Sequence, residues 1–267
     1  MLRMRTVSSL LIVLLFVTVA PALAGSVLDG IVERGEIRVG MTGNQPPLNI
    51  KSKSGELIGY EVDLVEILAD SMGVKAKLVV MPFPQLLPAL KKGDLDMVVS
   101  GMAITPERNT QVAFVGPYLL TGKSILTKSA TLAAAQAVTD IDMASVTITA
   151  LSGSTSQEFA EVLLPKAKLQ TTDNYDEAIK LVMDDQADAM VADIEICQIT
   201  VLRYPDAGLV TLSDALTIEP VGIALPPNDP LLINLVENYL SAIEMVGLLE
   251  ELHAQWYTDG SWLIQVP

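Results

Sequence analysis

Between Ile37 and Leu202, short apolar runs alternate with segments of helical period, and glycine or proline marks most of the changes of period. Such alternation commits a chain to an α/β class of fold, in which helices pack on a largely parallel sheet. Ile37 to Met41 reads as a strand, and Thr42 to Pro47 as a turn-rich segment, since two consecutive prolines cannot enter a regular ladder. Val62, Val65, Ala69 and Met72 lie on one helical face of the segment Gly59 to Met72, and Gly73 stands where a helix ends. Leu78 to Met81 follows as a strand, Pro84 to Lys92 as a helix closed by Gly93, and Leu95 to Val99 as another strand.

The second half has the same grammar. Val146 to Leu151 reads as a strand, a helix opens near Thr155, Tyr175 to Met183 is helical, and strand Ala189 to Ala192 leads into a helix over Ile194 to Leu202. Thr155 and Glu158 have capping-box spacing, and Asp193 is a good N-cap. Leu231 to Trp256 keeps helical spacing and is interrupted at Gly247. The alanine-rich stretch Ala130 to Ala137 fits a surface helix or a connection. Two α/β units need two sheets, and the chain crosses between them where it is extended and marked by proline and glycine, at Gly116 to Leu126 and Glu219 to Leu225. Two crossings make a hinged pair of lobes.

Half of the 267 residues are apolar, enough for one large core or two modest ones. Lys and Arg number 17 against 32 Asp and Glu, a net charge of −15, which disfavours nucleic acid or an anionic membrane surface as partner. The single cysteine, Cys197, excludes an intrachain disulfide and a cysteine-based zinc cluster. The single histidine, His253, excludes multi-histidine metal sites and most catalytic triads. Metal chemistry would have only carboxylates, so neither a metal nor a cofactor is expected, and no GxxxxGK loop is present for ATP hydrolysis. Cys197 is expected in the core as a small hydrophobe, and Trp256 and Trp262 as anchors of the final segment.

Arg3 and Arg5 precede the apolar run Leu10 to Ala20, and Ala22-Leu23-Ala24 follows Pro21. The run is shorter than a spanning helix needs, so residues 1–24 read as a cleavable secretory signal. No cysteine lies near the cleavage point, so the expected product is a free, monomeric protein in the periplasm, not lipid-anchored.

From Gly59 the sequence GYEVDLVEILADSMG resembles the signature of the family-3 bacterial extracellular solute-binding proteins, the periplasmic components of polar amino-acid uptake systems. SGMAITPER at Ser100 to Arg108, FVGPY at Phe114 to Tyr118, LSGSTSQEF at Leu151 to Phe159 and ADAMVAD at Ala187 to Asp193 follow in family order, and the resemblance runs from about Ile37 to Trp262. It implies the type II periplasmic-binding fold, with a first lobe of residues 25–119 plus 221–267, a second of 120–220, and a cleft between them that closes on the ligand. It also implies a small-molecule ligand, an amino acid or related carboxylate, and as partner an inner-membrane ABC permease with its ATPase.

The same resemblance assigns roles. Arg108, whose planar fork suits a carboxylate, grips the ligand's α-carboxylate, and Asp193 accepts its α-ammonium. Ser100, Gly101 and Ala103 line the ligand within the SGMAITPER motif, and Thr155 adds a helix N-terminus from the second lobe. The ordinary alternatives are an Arg108 paired with Glu107 and simple capping by Thr155 and Asp193. The entry loop departs from the family: Thr42 stands where an acid is common, Gln45 where an aromatic is common, Ala103 where a hydroxyl is common, and Leu151 where some relatives are polar or cationic. Phe83 stands at the aromatic or apolar wall, or in the core. The loss of the acid at Thr42 disfavours a strongly cationic ligand.

Two further functions compete with uptake. A family of periplasmic cyclohexadienyl dehydratases uses this fold and needs a carboxylic acid in the cleft. Glu195 is the acid available here, on a helix start where solvent exposure is common, while the resemblance puts that family's acid where Ile196 stands. The other function is a ligand sensor that docks on a membrane receptor.

Overall fold

The computed structural model describes residues 26–267, so the expected signal segment lies outside the described residues. The first half runs α1 (Val27–Arg34), β1 (Glu36–Met41), β2 (Asn44–Gln45), β3 (Asn49–Lys51), β4 (Leu57–Ile58), α2 (Tyr60–Met72), β5 (Lys75–Val80), α3 (Phe83–Lys92), β6 (Met97–Val98), α4 (Pro106–Asn109) and β7 (Ala113–Thr121). It continues with β8 (Lys123–Thr127), α5 (Ala130–Ala133), β9 (Thr147–Leu151), α6 (Thr155–Leu163), β10 (Lys168–Thr172), α7 (Tyr175–Met183), β11 (Ala189–Asp193), α8 (Ile194–Arg203) and β12 (Val210–Thr211). β13 (Glu219–Leu225), α9 (Pro230–Met245) and α10 (Leu248–His253) follow, and a π-helical turn at Ala254–Thr258 and a 3-10 helix at Gly260–Gln265 close the chain.

The strands form two five-stranded sheets, β5-β1-β6-β13-β7 and β10-β9-β11-β8-β12, and a small sheet of β2, β3 and β4. Each large sheet is mixed rather than largely parallel. β5, β1 and β6 run parallel, as do β10, β9 and β11, but β13 is antiparallel to β6 and β7, and β8 to β11 and β12. The antiparallel pairs belong to the segments that pass between the sheets. The chain leaves the first sheet along β7 and returns to it along β13, and it enters the second along β8 and leaves it along β12, so each of these pairs runs in opposite directions.

Local chemistry explains most elements. α2 buries Val62, Leu64, Val65, Leu68 and Ala69 and ends at Gly73, whose left-handed backbone returns an N–H to Ala69. β5 starts earlier than its apolar run because it is an edge strand that turns Lys75 and Lys77 to solvent. β8 and β11 are buried throughout, as strands covered on both faces are. The turn-rich entry segment holds the short strand β2 and a cis Pro46–Pro47 bond.

One core cluster joins Ile37, Val39 and Leu68 to Leu232, Val236, Trp256 and Trp262, so both ends of the described chain build the first sheet's surroundings. A second brings Leu86 and Leu90 of α3 against Tyr175, Ile179 and the buried Cys197, closing the two sheets on each other. At the crossing, a Cβ on Gly122 would lie 1.8 Å from the Thr217 carbonyl oxygen, so only glycine lets the two crossing segments approach this closely.

Candidate functional site

A small cavity lies between the two sheets, lined by Gln45, Phe83, Gly101 and Arg108 on one side and by Leu151, Thr155 and Asp193 on the other. About 10 Å³ of it is open to the centre of a water-sized sphere, room for about one water. The lobes are therefore closed on their own side chains.

Arg108 sits on the short helix α4, where the Thr105 hydroxyl accepts its backbone N–H. Its guanidinium donates to the carbonyl of Ala103 at 2.9 Å and, across the cleft, to that of Gly153 at 3.1 Å, with Cζ 5.7 Å from the centre of the Phe83 ring. The pairing with Glu107 does not form: no carboxylate among the described residues lies within 4.0 Å. Burial pushes the Arg108 pKa down, and Glu158 and Glu219 oppose it through space. An arginine stays charged through such shifts, so the cleft holds a cation whose neighbours are only partial negative charges.

On the opposite side, α6 presents its N-terminus. Ser154, not Thr155, is the cap: its Oγ accepts the Gln157 N–H at 3.2 Å, and the Thr155–Glu158 capping box is absent because the helix starts one residue earlier than that spacing requires. Thr155 Oγ1 instead donates to Glu219 Oε2 at 2.8 Å. Ser156, 1 % exposed, lines the cavity with a hydroxyl that has no partner among the described residues. A first-turn amide left free by its helix, beside an idle hydroxyl, suits an anion.

Asp193 holds the N-cap position of α8, yet its side chain accepts no N–H from that helix. It turns to Lys123, the first residue of β8, whose Nζ lies 2.5 Å from Asp193 Oδ1 and 3.0 Å from Glu219 Oε2. The Lys123 side chain is 2 % exposed. Burial works against its charge, and the two carboxylates more than offset it, so its pKa stands above the ordinary lysine value.

Thr42 and Ser100 stand one layer behind the cavity wall. The Thr42 and Ser100 hydroxyls meet Gln45 Oε1 at 2.8 Å and 2.6 Å, and Ser100 Oγ accepts the Thr42 N–H at 3.1 Å. Ala103 gives its carbonyl to Arg108 and faces a separate, largely apolar pocket with Ile104, Phe159 and Pro220. Gly101 has a left-handed backbone (φ +56) and donates its N–H to the buried Glu61 at 2.6 Å. Glu61 also accepts from Asn49 at 2.6 Å and from the Tyr118 hydroxyl, and burial pushes its carboxyl pKa up against these bonds.

Lys123, Tyr175, Ser154 and Ser156 also line the cavity, and Glu219 reaches its edge, although none of them stood out in the sequence. A trace of Lys123 was there: it is a cation close before Ile125 and Leu126, in an expected crossing. Glu195 is half-buried and is bonded to the Thr121 hydroxyl at the crossing, so it neither lines the cavity nor faces open solvent. Ile196 is buried, 1 % exposed. Among the described residues, no group of three or more His, Cys, Asp or Glu is placed to hold a metal ion.

The chain is similar to a cyclohexadienyl dehydratase of Pseudomonas aeruginosa, 30% identical over 231 residues, 86% of this chain and 85% of that protein. It is 27% identical over 242 residues to the ABC transporter arginine-binding protein 1 of Escherichia coli, covering 90% of this chain and 98% of that one. A crystal structure of an ancestral amino acid-binding protein, described as a precursor of cyclohexadienyl dehydratase, matches with a TM-score of 0.80 and 36% identity over 87% of this chain and all of that one. These relatives and the two-sheet architecture establish the type II periplasmic-binding fold. A family model matches residues 37–259, and the chain belongs to the bacterial extracellular solute-binding proteins, family 3.

Proposed function

We propose that this protein captures a small carboxylate-bearing solute, an amino acid, in the interlobe cleft and delivers it to an ABC importer in the inner membrane. The observation that carries this reading is Arg108, a half-buried guanidinium held by carbonyls of both lobes and matched by no carboxylate among the described residues. A ligand carboxylate would complete it, with Ser156 and the α6 N-terminus completing the other side. Asp193, at the end of β11, would accept the ligand's ammonium beside Lys123. Phe83, Leu151, Gln45 and Gly101 would form the side-chain wall, with Thr42, Ser100 and Ala103 fixing it from behind.

The two sheets support lobes of residues 25–119 with 221–267 and of 120–220. The family and the character of residues 1–24 support a periplasmic location, and a monomer suffices because each copy carries both walls of the cleft. Membership in a family of solute-binding proteins supports the importer.

The dehydratase relative favours a second, enzymatic reading. That chemistry needs a protonated acid in the cleft. Asp193 and Glu219 are both ion-paired to Lys123, and Glu195 is turned away to Thr121. Binding without turnover is the better reading.

The test is a thermal-shift screen of the purified protein against amino acids, small organic acids, prephenate and arogenate, since a ligand of the folded form raises the midpoint. Stabilisation by an amino acid that is recovered unchanged supports the importer. Consumption of prephenate or arogenate establishes the enzyme.

A further inference from the structure

We infer that Lys123 sets the charge of the ligand: the cleft selects amino acids whose side chain carries a hydrogen-bond acceptor, neutral or acidic, and rejects cationic ones. This rests on the amino-acid reading above and names the class within it.

The cleft walls carry Arg108 and Lys123 against Asp193 and Glu219, and these four charges cancel. A zwitterionic amino acid adds one carboxylate and one ammonium and keeps the balance. A lysine or arginine ligand would add a third side-chain cation to a cleft whose cavity has room for about one water, with no carboxylate left to meet it. The other acids nearby do not supply one. Glu61 lies beneath Gly101 and is occupied by Tyr118, Asn49 and the Gly101 N–H, Glu158 is exposed at the surface of α6, and Glu195 is bonded to Thr121.

Lys123 also offers something positive. An ammonium has three protons, and Asp193 and Glu219 account for two acceptors; no third acceptor among the described residues is bonded to Nζ. The remaining N–H is available inside the cleft to an amide or carboxylate oxygen of the ligand's side chain. The neighbouring Gln45 has its Oε1 occupied by Ser100 and Thr42, so a ligand amide would meet a fixed, preorganised wall. The lysine already in the site thus holds the place that a cationic side chain would need.

The experiment is calorimetric titration of the full-length mature protein with glutamine, glutamate, lysine and arginine, repeated on Lys123→Met and Glu219→Gln. Glutamine or glutamate binding at least tenfold more tightly than arginine and lysine is the expected wild-type result. In Lys123→Met that preference should fall at least tenfold, because a cationic ligand then restores the missing charge. In Glu219→Gln, which leaves Lys123 in place and does not depend on the first variant folding, glutamate should gain at least tenfold on glutamine. Wild-type protein that binds arginine as tightly as glutamine, or selectivity ratios unmoved in both variants, overturns the assignment while leaving amino-acid capture intact. Wild-type protein that binds none of the four, in titration or thermal shift, overturns the amino-acid reading and this inference with it.

Discussion

The Arg108 guanidinium donates to two carbonyl oxygens, and carbonyls carry only partial charge, so an incoming carboxylate gains a full counter-charge without displacing one. Arg108→Ala should therefore cost about 3 kcal/mol of binding, roughly a hundredfold in Kd, with little change in melting temperature; calorimetry on folded variant protein checks both halves. Glu61 is a different kind of residue, structural and beneath the wall. Its carboxyl pKa is raised by burial, so the stability that goes with protonation is fully present below the ordinary glutamate value and is lost as pH rises through the folded-state value. The melting-temperature advantage of wild type over Glu61→Gln should shrink as pH is raised from 4 to about 8, and a constant gap would show that Glu61 does not titrate in that window. Arg108 was legible in the sequence through its motif. Glu61 was not, because a glutamate in an amphipathic helix looks like any solvated charge until the fold places Tyr118, Asn49 and Gly101 around it.

Elements were legible where local signals were strong, as in α2 with its glycine stop and α7 with its apolar spacing. They were less so where one residue of register decides the chemistry. At the start of α6, Ser154 and Thr155 are both capping residues, and only the path of the chain out of β9 puts Ser154 at the cap and frees Thr155 to reach Glu219. Ser154→Ala should destabilise the protein by about 1 kcal/mol, measured by denaturant unfolding, by leaving the Gln157 N–H without its acceptor. The same logic holds at α8, where Asp193 has the position of a cap and the bonding of a site residue. The direction of β8 and β13 could not be read from apolar spacing, since a period of two is the same in parallel and antiparallel strands.

At the scale of the whole molecule, closure is held by the contact of Arg108 with the Gly153 carbonyl across the cleft and by that of Thr155 with Glu219 at the head of the crossing strand β13. Hydrogen bonds of this kind contribute about 1 kcal/mol each, enough to shift an open–closed balance several-fold. Thr155→Val keeps the helix and removes the second contact, so unliganded protein should show a larger radius of gyration in small-angle scattering and ligand should bind several-fold more weakly. Unchanged scattering would place the closing energy elsewhere, in the apolar cluster of Leu86, Leu90, Tyr175 and Ile179 that spans the two sheets.

The sequence by itself determined the α/β class, the two crossings, the family and the two charged residues that its motifs carry, because these depend on periodicity, chain punctuation and local spacing. Tertiary structure alone decided what those charges meet. Lys123 and Glu219 are 96 positions apart in the chain, and nothing near either one in sequence tells which charge it will meet. They become an ion pair with Asp193 because the two crossing segments are pressed together where Gly122 leaves no room for a side chain, and that proximity is a property of the closed pair of sheets.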